Sequence, residues 1–436
     1  MKEIGILGGG LTGLTLAHLL EKRGHGTEIL EKNEECGGLM RSIEKNGFTF
    51  DYGGSHVLFS RDEETLSFLL KQIEGNRVKN RRNTKILFKN KFVKYPFEYG
   101  LSNLPKKDNF ECLYSYINKK IQNREDKEEI NNLQDFFINK FGEGISKKYL
   151  LPYNKKIWNH PPKKMGLEWV KRIPNPTLEE IIKSSIGMDI EGYTHQLNFY
   201  YPKEGGIQSI IKSLRKKITN PINTNFKVEK IQQDPPTWRV YSQNNTKEFK
   251  KLISTIPIHD LLDSFDKVPN KIKNALNDLK FNSLITVMIG LDKENLSKGD
   301  LSWLYLPQED VLSHRVSFPS NYSPKNSPKN KASILAEITC NYNDEIWSKK
   351  DNKIINKVKD DLIRLGIINN KKTEVEILKR NKYAYIIPTK KYAINRKLAK
   401  NYFEELGIDL VGRFSEFKYL NMDDCIRSVL KYLKNL

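Results

Sequence analysis

Several sequence features that would reveal a function directly are missing here. The 436 residues contain four cysteines, Cys36, Cys112, Cys340 and Cys425, far apart and without a CxxC pair. Neither a zinc site nor a disulfide framework is indicated, and a reducing compartment is expected. No apolar run approaches the roughly 18 residues of a membrane span. Met1 to Leu7 runs straight into a strand-like segment without the succession of a secretory leader, so a cytoplasmic protein is expected. No internal repeat is visible, which excludes solenoids and arrays. No Ser/His/Asp or metal constellation stands out, and no metal site is expected. Acid is the scarcer charge: 53 Asp and Glu against 74 Lys and Arg leave a net charge of +21. That excess opens two readings, an anionic partner or a solvated lysine-rich surface.

What is present excludes disorder: 38% of residues are hydrophobic, including 20 Phe, 20 Tyr and 5 Trp. At about 150 residues per domain the length allows about three units. Glu3 to Leu7 reads as a buried strand, Leu11 to Arg23 as a helix and Thr27 to Glu31 as a second strand, a βαβ start that implies a parallel sheet. Thr84 to Phe97 reads as a hairpin around Lys89-Asn90-Lys91, and Asn109 to Ile186 as mostly helical. Pro152 to Pro162 reads as a shaped loop within it. Phe226 to Ile231, Trp238 to Ser242, Lys251 to Thr255, Leu284 to Leu291 and Ile334 to Thr339 read as strands, and Ser323 to Lys331 as an exposed loop. The basic run Arg77 to Lys94 holds eight Lys or Arg and no acid. Without a nucleic-acid module beside it, it reads as a solvated face, and no specific nucleic-acid partner is expected.

The chemistry begins at Gly8-Gly9-Gly10-Leu11-Thr12-Gly13, which places Gly8, Gly10 and Gly13 in a GxGxxG between strand and helix. Such a turn brings backbone close to a pyrophosphate, and the helix N-terminus stabilises its charge. Glu31, with Lys32 beside it, stands at the end of the second strand, where a carboxylate accepts from a ribose diol. Cys36-Gly37-Gly38-Leu39-Met40-Arg41-Ser42 follows, with Gly38 and Arg41 suited to the same pyrophosphate. This second cluster favours FAD over NAD as cofactor.

Together these motifs resemble the flavoprotein superfamily of amine oxidases, protoporphyrinogen oxidase, phytoene desaturases and UDP-galactopyranose mutases. Within it the chain resembles the mutases from Met1 to about Arg427. Gly53-Gly54-Ser55-His56 looks like their histidine loop against the flavin, although a loop histidine bonded to backbone reads the same way. Tyr95-Pro96-Phe97-Glu98 resembles the segment that holds uracil, and Asn154, Trp158, Trp169 and Arg172 fall in a block resembling the substrate cleft. Trp158 and Trp169 are also readable as core aromatics, and Arg172 and Arg413 as structural ion-pair or capping residues. The resemblance implies that Arg315, Tyr322, Tyr385 and Tyr419 hold a diphosphate with Lys418 assisting, and that Phe226-Lys227-Val228 lies on the adenine side. It also implies that Gly412-Arg413 and Asn421-Met422 close over the flavin, with a helix N-terminus facing it. Lys418 stands where the family usually has an arginine, and Glu98 where its eukaryotic-type branch has a neutral amide.

The resemblance implies a Rossmann-like, glutathione-reductase-type FAD domain with an inserted helical region and an antiparallel substrate sheet. Its parts are expected at 1–75, 201–260 and 385–436 for FAD, 76–200 for the hairpin and helical insertion, and 261–384 for the substrate sheet. The implied reaction is redox-neutral interconversion of the pyranose and furanose forms of a UDP-hexose for cell-surface glycan synthesis, with reduced flavin N5 acting at the anomeric carbon. His56, Arg172 and Arg315 take the catalytic positions. The partner is then a UDP-sugar or another anionic small molecule, with peripheral membrane association left open. The rivals are an oxidase or desaturase of the same superfamily and a basic, flavin-binding interaction module.

Overall fold

The βαβ start folds as the sequence dictates. In the computed structural model, which describes all residues except 1, 126–128, 191–196, 244 and 298, strand Lys2–Leu7 leads into helix Leu11–Glu21 and strand Thr27–Leu30. Met1 and residues 126–128, both inside segments read above, lie outside the described residues. Lys2–Leu7 pairs in parallel with Thr27–Leu30 on one side and with Asn245–Ser254 on the other. Ile408–Leu410 joins Asn245–Ser254 in parallel, completing a seven-stranded sheet with an antiparallel edge of Lys230–Asp234 and Thr237–Ser242. Leu14, Leu16 and Leu20 of the first helix pack with Ile4, Ile6 and Ile29 of the sheet and with Ile426 and Val429 of helix Met422–Lys434. The mixed α/β architecture agrees with the sequence reading.

A second seven-stranded sheet runs in the order Val375–Ile387, Lys280–Asp292, Lys331–Cys340, Arg315–Ser317, Trp303–Tyr305, Thr84–Phe88 and Lys91–Lys94. All its pairings are antiparallel except Trp303–Tyr305 with Thr84–Phe88. Lys89 and Asn90 both adopt positive φ, 47° and 61°, the twist a two-residue hairpin turn needs. Along Lys331–Cys340 the side chains alternate: Ile334, Ala336 and Ile338 join an aliphatic core with Ile354, Val358 and Leu362 of helix Asp351–Arg364, and Glu337 faces the other way.

Three expectations need correction. Leu151–Trp158 is a helix, preceded by a π-turn over Ser146–Leu150. Pro152 sits in its first turn, where the missing N–H has no partner to lose, so the proline starts the helix and does not break it. Pairing in the region of Phe226 to Ile231 starts only at Lys230; Phe226 instead donates its amide to the Glu31 carbonyl at 2.8 Å. Within Ser323 to Lys331, Ser323 and Asn326 are buried, the first bonded to the Lys203 carbonyl and the second to that of Pro319, and a strand begins at Lys331. Helix Met422–Lys434 opens on a capping box of Asn421 with Asp424.

Candidate functional site

A cavity of about 1120 Å3 runs from the glycine turn after the first strand to the inner face of the second sheet. Gly8 has φ 99°, and a Cβ on Gly13 would stand 2.0 Å from the Gly8 carbonyl oxygen. Only glycines let helix Leu11–Glu21 start this close to the turn. At Gly10 an added Cβ would meet no protein atom within 4 Å, so the space in front of it belongs to the cavity. The helix has no side-chain cap and no acid in its first turn, and Leu11 and Thr12 line the cavity. Its free amides and positive end are left for an anion.

Glu31 closes this end. One carboxylate oxygen accepts the Gly9 amide at 2.8 Å and the other accepts that of Asn33 at 2.9 Å, so the second strand is tied to the glycine turn. Lys32 leans toward Asp260 at 3.7 Å, and Val228 lies on the opposite wall. Gly38 and Leu39 carry the wall onward to Arg41, whose guanidinium rests 4.6 Å from the centre of the Tyr52 ring. Burial lowers the Arg41 pKa below the ordinary guanidinium value, which nearby Glu31 and Glu35 only partly offset; an anion in the cavity would stabilise the charge.

At the far end the second sheet contributes a buried ion pair. Arg315 and Glu337 face each other across adjacent strands, with Nε to Oε1 at 2.8 Å and Nη2 to Oε2 at 2.7 Å. Glu337 is completely buried and also accepts the Ser55 amide at 3.2 Å. Gly54, at φ 101°, lies close enough that a Cβ would come 3.1 Å from the Glu337 carboxylate. His56 Nδ1 bonds the Gly54 carbonyl at 2.8 Å, and burial lowers its pKa, so the ring is neutral at pH 7 with Nδ1 as donor and Nε2 free to accept. Trp303, also on this wall, has a buried indole N–H without a partner among the described residues.

Tyr385 and Tyr419 stack nearly parallel at 6.0 Å, and the Arg413 guanidinium lies 4.4 Å over the Tyr419 ring. Arg413 donates to the carbonyls of Ala384 and Leu420 and leaves its buried Nε without a partner among the described residues. Gly412, at φ 92°, lets this segment approach the first helix, since a Cβ there would lie 2.5 Å from the Thr12 hydroxyl.

These features fit FAD. The uncapped helix and Arg41 suit its diphosphate, Glu31 a ribose, Val228 the adenine side, and the stretch from His56 to Tyr419 the flavin and what reacts with it. Of the residues expected from sequence at the cofactor, the cavity brings together Gly8, Gly10, Leu11, Thr12, Glu31 and Lys32 at one end. Gly38, Leu39, Arg41, Gly54, Ser55, His56 and Val228 follow, with Arg413, Asn421 and Met422 from the C-terminal segment. Gly13 and Gly412 act from behind the wall, by allowing close packing.

The expected substrate residues divide. Arg315, Tyr385 and Tyr419 line the cavity; Phe97, Asn154, Trp158, Arg172, Tyr322 and Lys418 do not. Phe97 is buried and stacks on Tyr149 at 4.8 Å. Asn154 is satisfied locally, donating to the Leu150 carbonyl at 2.8 Å and accepting from the Trp158 indole at 3.0 Å. Trp158 is a buried aromatic that packs edge-on against Trp169, Tyr385 and Tyr419, behind the tyrosine pair. Arg172 stacks on Trp169 and Tyr419 and donates to the Tyr419 carbonyl and to Asp424. Tyr322 is buried against Phe199 and Tyr201, and its hydroxyl bonds the Ser55 hydroxyl at 2.7 Å. Lys418 pairs with Glu416 at 2.7 Å. Glu98 is buried, and desolvation pushes its pKa up to about 7, so at neutral pH much of it keeps a proton and can donate. Sequence reasoning missed Glu337; the available signal was a single carboxylate inside the apolar run Ile334 to Cys340, which needs a buried partner.

Comparison with known proteins agrees with the geometry. A family model described as flavin containing amine oxidoreductase matches residues 11–392. A crystal structure of reduced UDP-galactopyranose mutase superposes with a TM-score of 0.89 at 24% identity, covering 100% of this chain and 96% of the other. A putative protoporphyrinogen oxidase from Exiguobacterium sp. 255-15 superposes at 0.79 with 16% identity, covering 100% and 98%. A 4,4'-diapophytoene desaturase of Staphylococcus haemolyticus is 47% identical over 55 residues, a stretch that spans only 13% of this chain and 11% of the relative.

Proposed function

Because the chain belongs to the flavin containing amine oxidoreductase family, and so is an FAD enzyme of that superfamily, we propose that it uses the flavin without net redox change, interconverting the pyranose and furanose forms of a UDP-hexose. One observation carries this reading. At the cavity end opposite the glycine turn, a partly buried arginine braced by the fully buried Glu337 stands with the stacked hydroxyl-bearing pair Tyr385 and Tyr419. Such donors suit a diphosphate leaving group, which an amine or a polyene does not have.

Bound reduced FAD supplies a nucleophilic nitrogen, N5, for the anomeric carbon. The protein groups do the rest. Glu337 occupies the Nε and Nη2 edge of Arg315, which leaves Nη1 and the second Nη2 hydrogen for phosphate oxygens. Burial raises the Tyr385 pKa, so its hydroxyl stays protonated and donates as negative charge develops on the leaving diphosphate. His56, neutral and fixed through Gly54, offers Nε2 as an acceptor beside the flavin end. Trp158 and Trp169 hold Tyr385 and Tyr419 from behind and fix the direction of their hydroxyls.

A second reading, hydride transfer to the flavin from an apolar or amine substrate, draws support from the desaturase stretch and from the family description. UDP titration separates the two. Wild-type holoenzyme is expected to bind UDP, with Arg315→Ala weakening the affinity by at least about tenfold, the scale of a lost charged hydrogen bond. Unchanged affinity in that variant would overturn the mutase reading.

A further inference from the structure

Most of the large apolar side chains that remain exposed among the described residues lie on two neighbouring helices, away from the cavity. Helix Lys106–Glu125 carries Phe110, 64% exposed, with Tyr114 and Ile121; Leu178–Ile186 and the residues after it carry Ile182, Ile186, 65% exposed, and Met188. The spacing from 110 to 114 to 121 keeps the first three on one stripe, and Phe110 and Tyr114 stack at 5.6 Å. The helices are locked side by side, since Asn109 donates to the Ser185 carbonyl at 2.9 Å and Ser185 donates back to Asn109 at 2.7 Å. The two stripes therefore meet where Phe110 and Ile186 flank this pair of bonds, an exposed apolar surface of the kind that marks an interaction site.

The rim of this patch is basic. Lys106 and Lys107 are exposed at the start of the first helix. The tip of the basic hairpin adjoins them, because Lys89 reaches Asp108 at 2.8 Å and Lys91 stands exposed two residues on. Three of the acids here are paired, Asp108 with Lys89 and Lys148, Glu111 with Lys148 and Glu179 with Lys183; Glu180 accepts the Thr177 amide, and Asp189 stands exposed beside Met188. We infer that this face docks on an anionic lipid surface, with Phe110, Tyr114 and Ile186 entering the interfacial layer and the lysines contacting headgroup phosphates. A second copy of the chain is a poorer occupant, because it would set the same basic rim against itself in a protein of net charge +21.

The test is co-sedimentation of the flavin-loaded full chain with phosphatidylcholine vesicles, with and without phosphatidylglycerol, at low and high salt. Binding is expected only with phosphatidylglycerol and is expected to weaken with salt. Phe110→Ser combined with Ile186→Ser, and separately Lys91→Ser with Lys106→Ser and Lys107→Ser, should each reduce it by roughly tenfold or more. Flavin content and melting temperature should not change. Failure to bind anionic vesicles, or full binding by both variants, would overturn the proposal. So would a wild-type dimer that these variants dissociate, since the face would then belong to a second copy.

Discussion

Arg315 and Glu337 form a two-point ion pair across adjacent strands, the carboxylate completely buried and both of its oxygens bonded to the guanidinium. The pair is a brace as well as a charge balance, since Glu337 also fixes the Ser55 amide and so the loop that bears His56. Glu337→Ala leaves a partly buried cation uncompensated and should cost up to about 3 kcal/mol of stability, read by chemical denaturation. Glu337→Gln preserves the shape and should cost less, but should still weaken UDP binding, because Arg315 then loses half of its positioning. Equal UDP affinity in wild type and Glu337→Gln would show that the brace does not matter.

The glycine turn gives a pair of opposite outcomes. Gly13→Ala puts a methyl 2.0 Å from the Gly8 carbonyl and should destabilise the fold itself. Gly10→Ala meets no protein atom and should leave the flavin-free protein as stable as wild type, while weakening FAD binding by about tenfold or more through its intrusion on the pyrophosphate. Thermal melting of the stripped proteins, followed by FAD titration, distinguishes the two. A Gly10→Ala protein that binds FAD normally would move the diphosphate elsewhere.

Glu98 gives a pH dependence of known sign. Burial raises its pKa from an ordinary value of 4.5 to about 7, so between these pH values the folded protein holds a proton that the unfolded chain has lost. Stability should therefore fall as pH rises from about 4.5 through about 7 and level off above it, and Glu98→Gln, which does not titrate, should lose that component. Chemical denaturation across that range is the measurement. Identical profiles in both proteins would contradict a buried, protonated Glu98.

Arg172 is expected to matter less than Arg315. It is partly exposed, stacked on Trp169 and Tyr419 and bonded to Asp424, a tether between the helical region and the C-terminal segment. Arg172→Ala should cost about 1 kcal/mol or less of stability and reduce UDP affinity less than Arg315→Ala does. A larger loss of affinity with Arg172→Ala than with Arg315→Ala would reverse their roles.

The parts legible in the sequence were those fixed by local backbone demands. The GxGxxG turn, the hairpin at Lys89 and Asn90 and the turn at Gly412 depend on conformations that few residues adopt, and Glu31 on its place at the end of the next strand. What escaped depends on residues far apart in the chain. Glu337 reads as an anomaly in an apolar strand until register sets it opposite Arg315. The resemblance puts Tyr322 at the diphosphate beside Arg315, yet tertiary packing turns its hydroxyl onto Ser55 and keeps its side chain off the cavity wall. At Pro152 an upstream π-turn overrides the expectation of a break, and Phe226 to Val228 is held outside the sheet pairing partly by the amide bond from Phe226 to the Glu31 carbonyl.

The charge, too, changes meaning once placed. Arg41 and Arg315 serve the cavity, while much of the basic run Arg77 to Lys94 lies along the second sheet, with its hairpin tip beside the exposed helical patch.

The most direct test of the proposed chemistry is to incubate the dithionite-reduced, FAD-loaded protein with UDP-galactopyranose, and in parallel with UDP-galactofuranose, and to separate the nucleotides by chromatography. The prediction is interconversion in both directions, dependent on flavin reduction and without consumption of an electron acceptor. No interconversion by the reduced holoenzyme, together with acceptor consumption on an amine or polyene substrate, would contradict it.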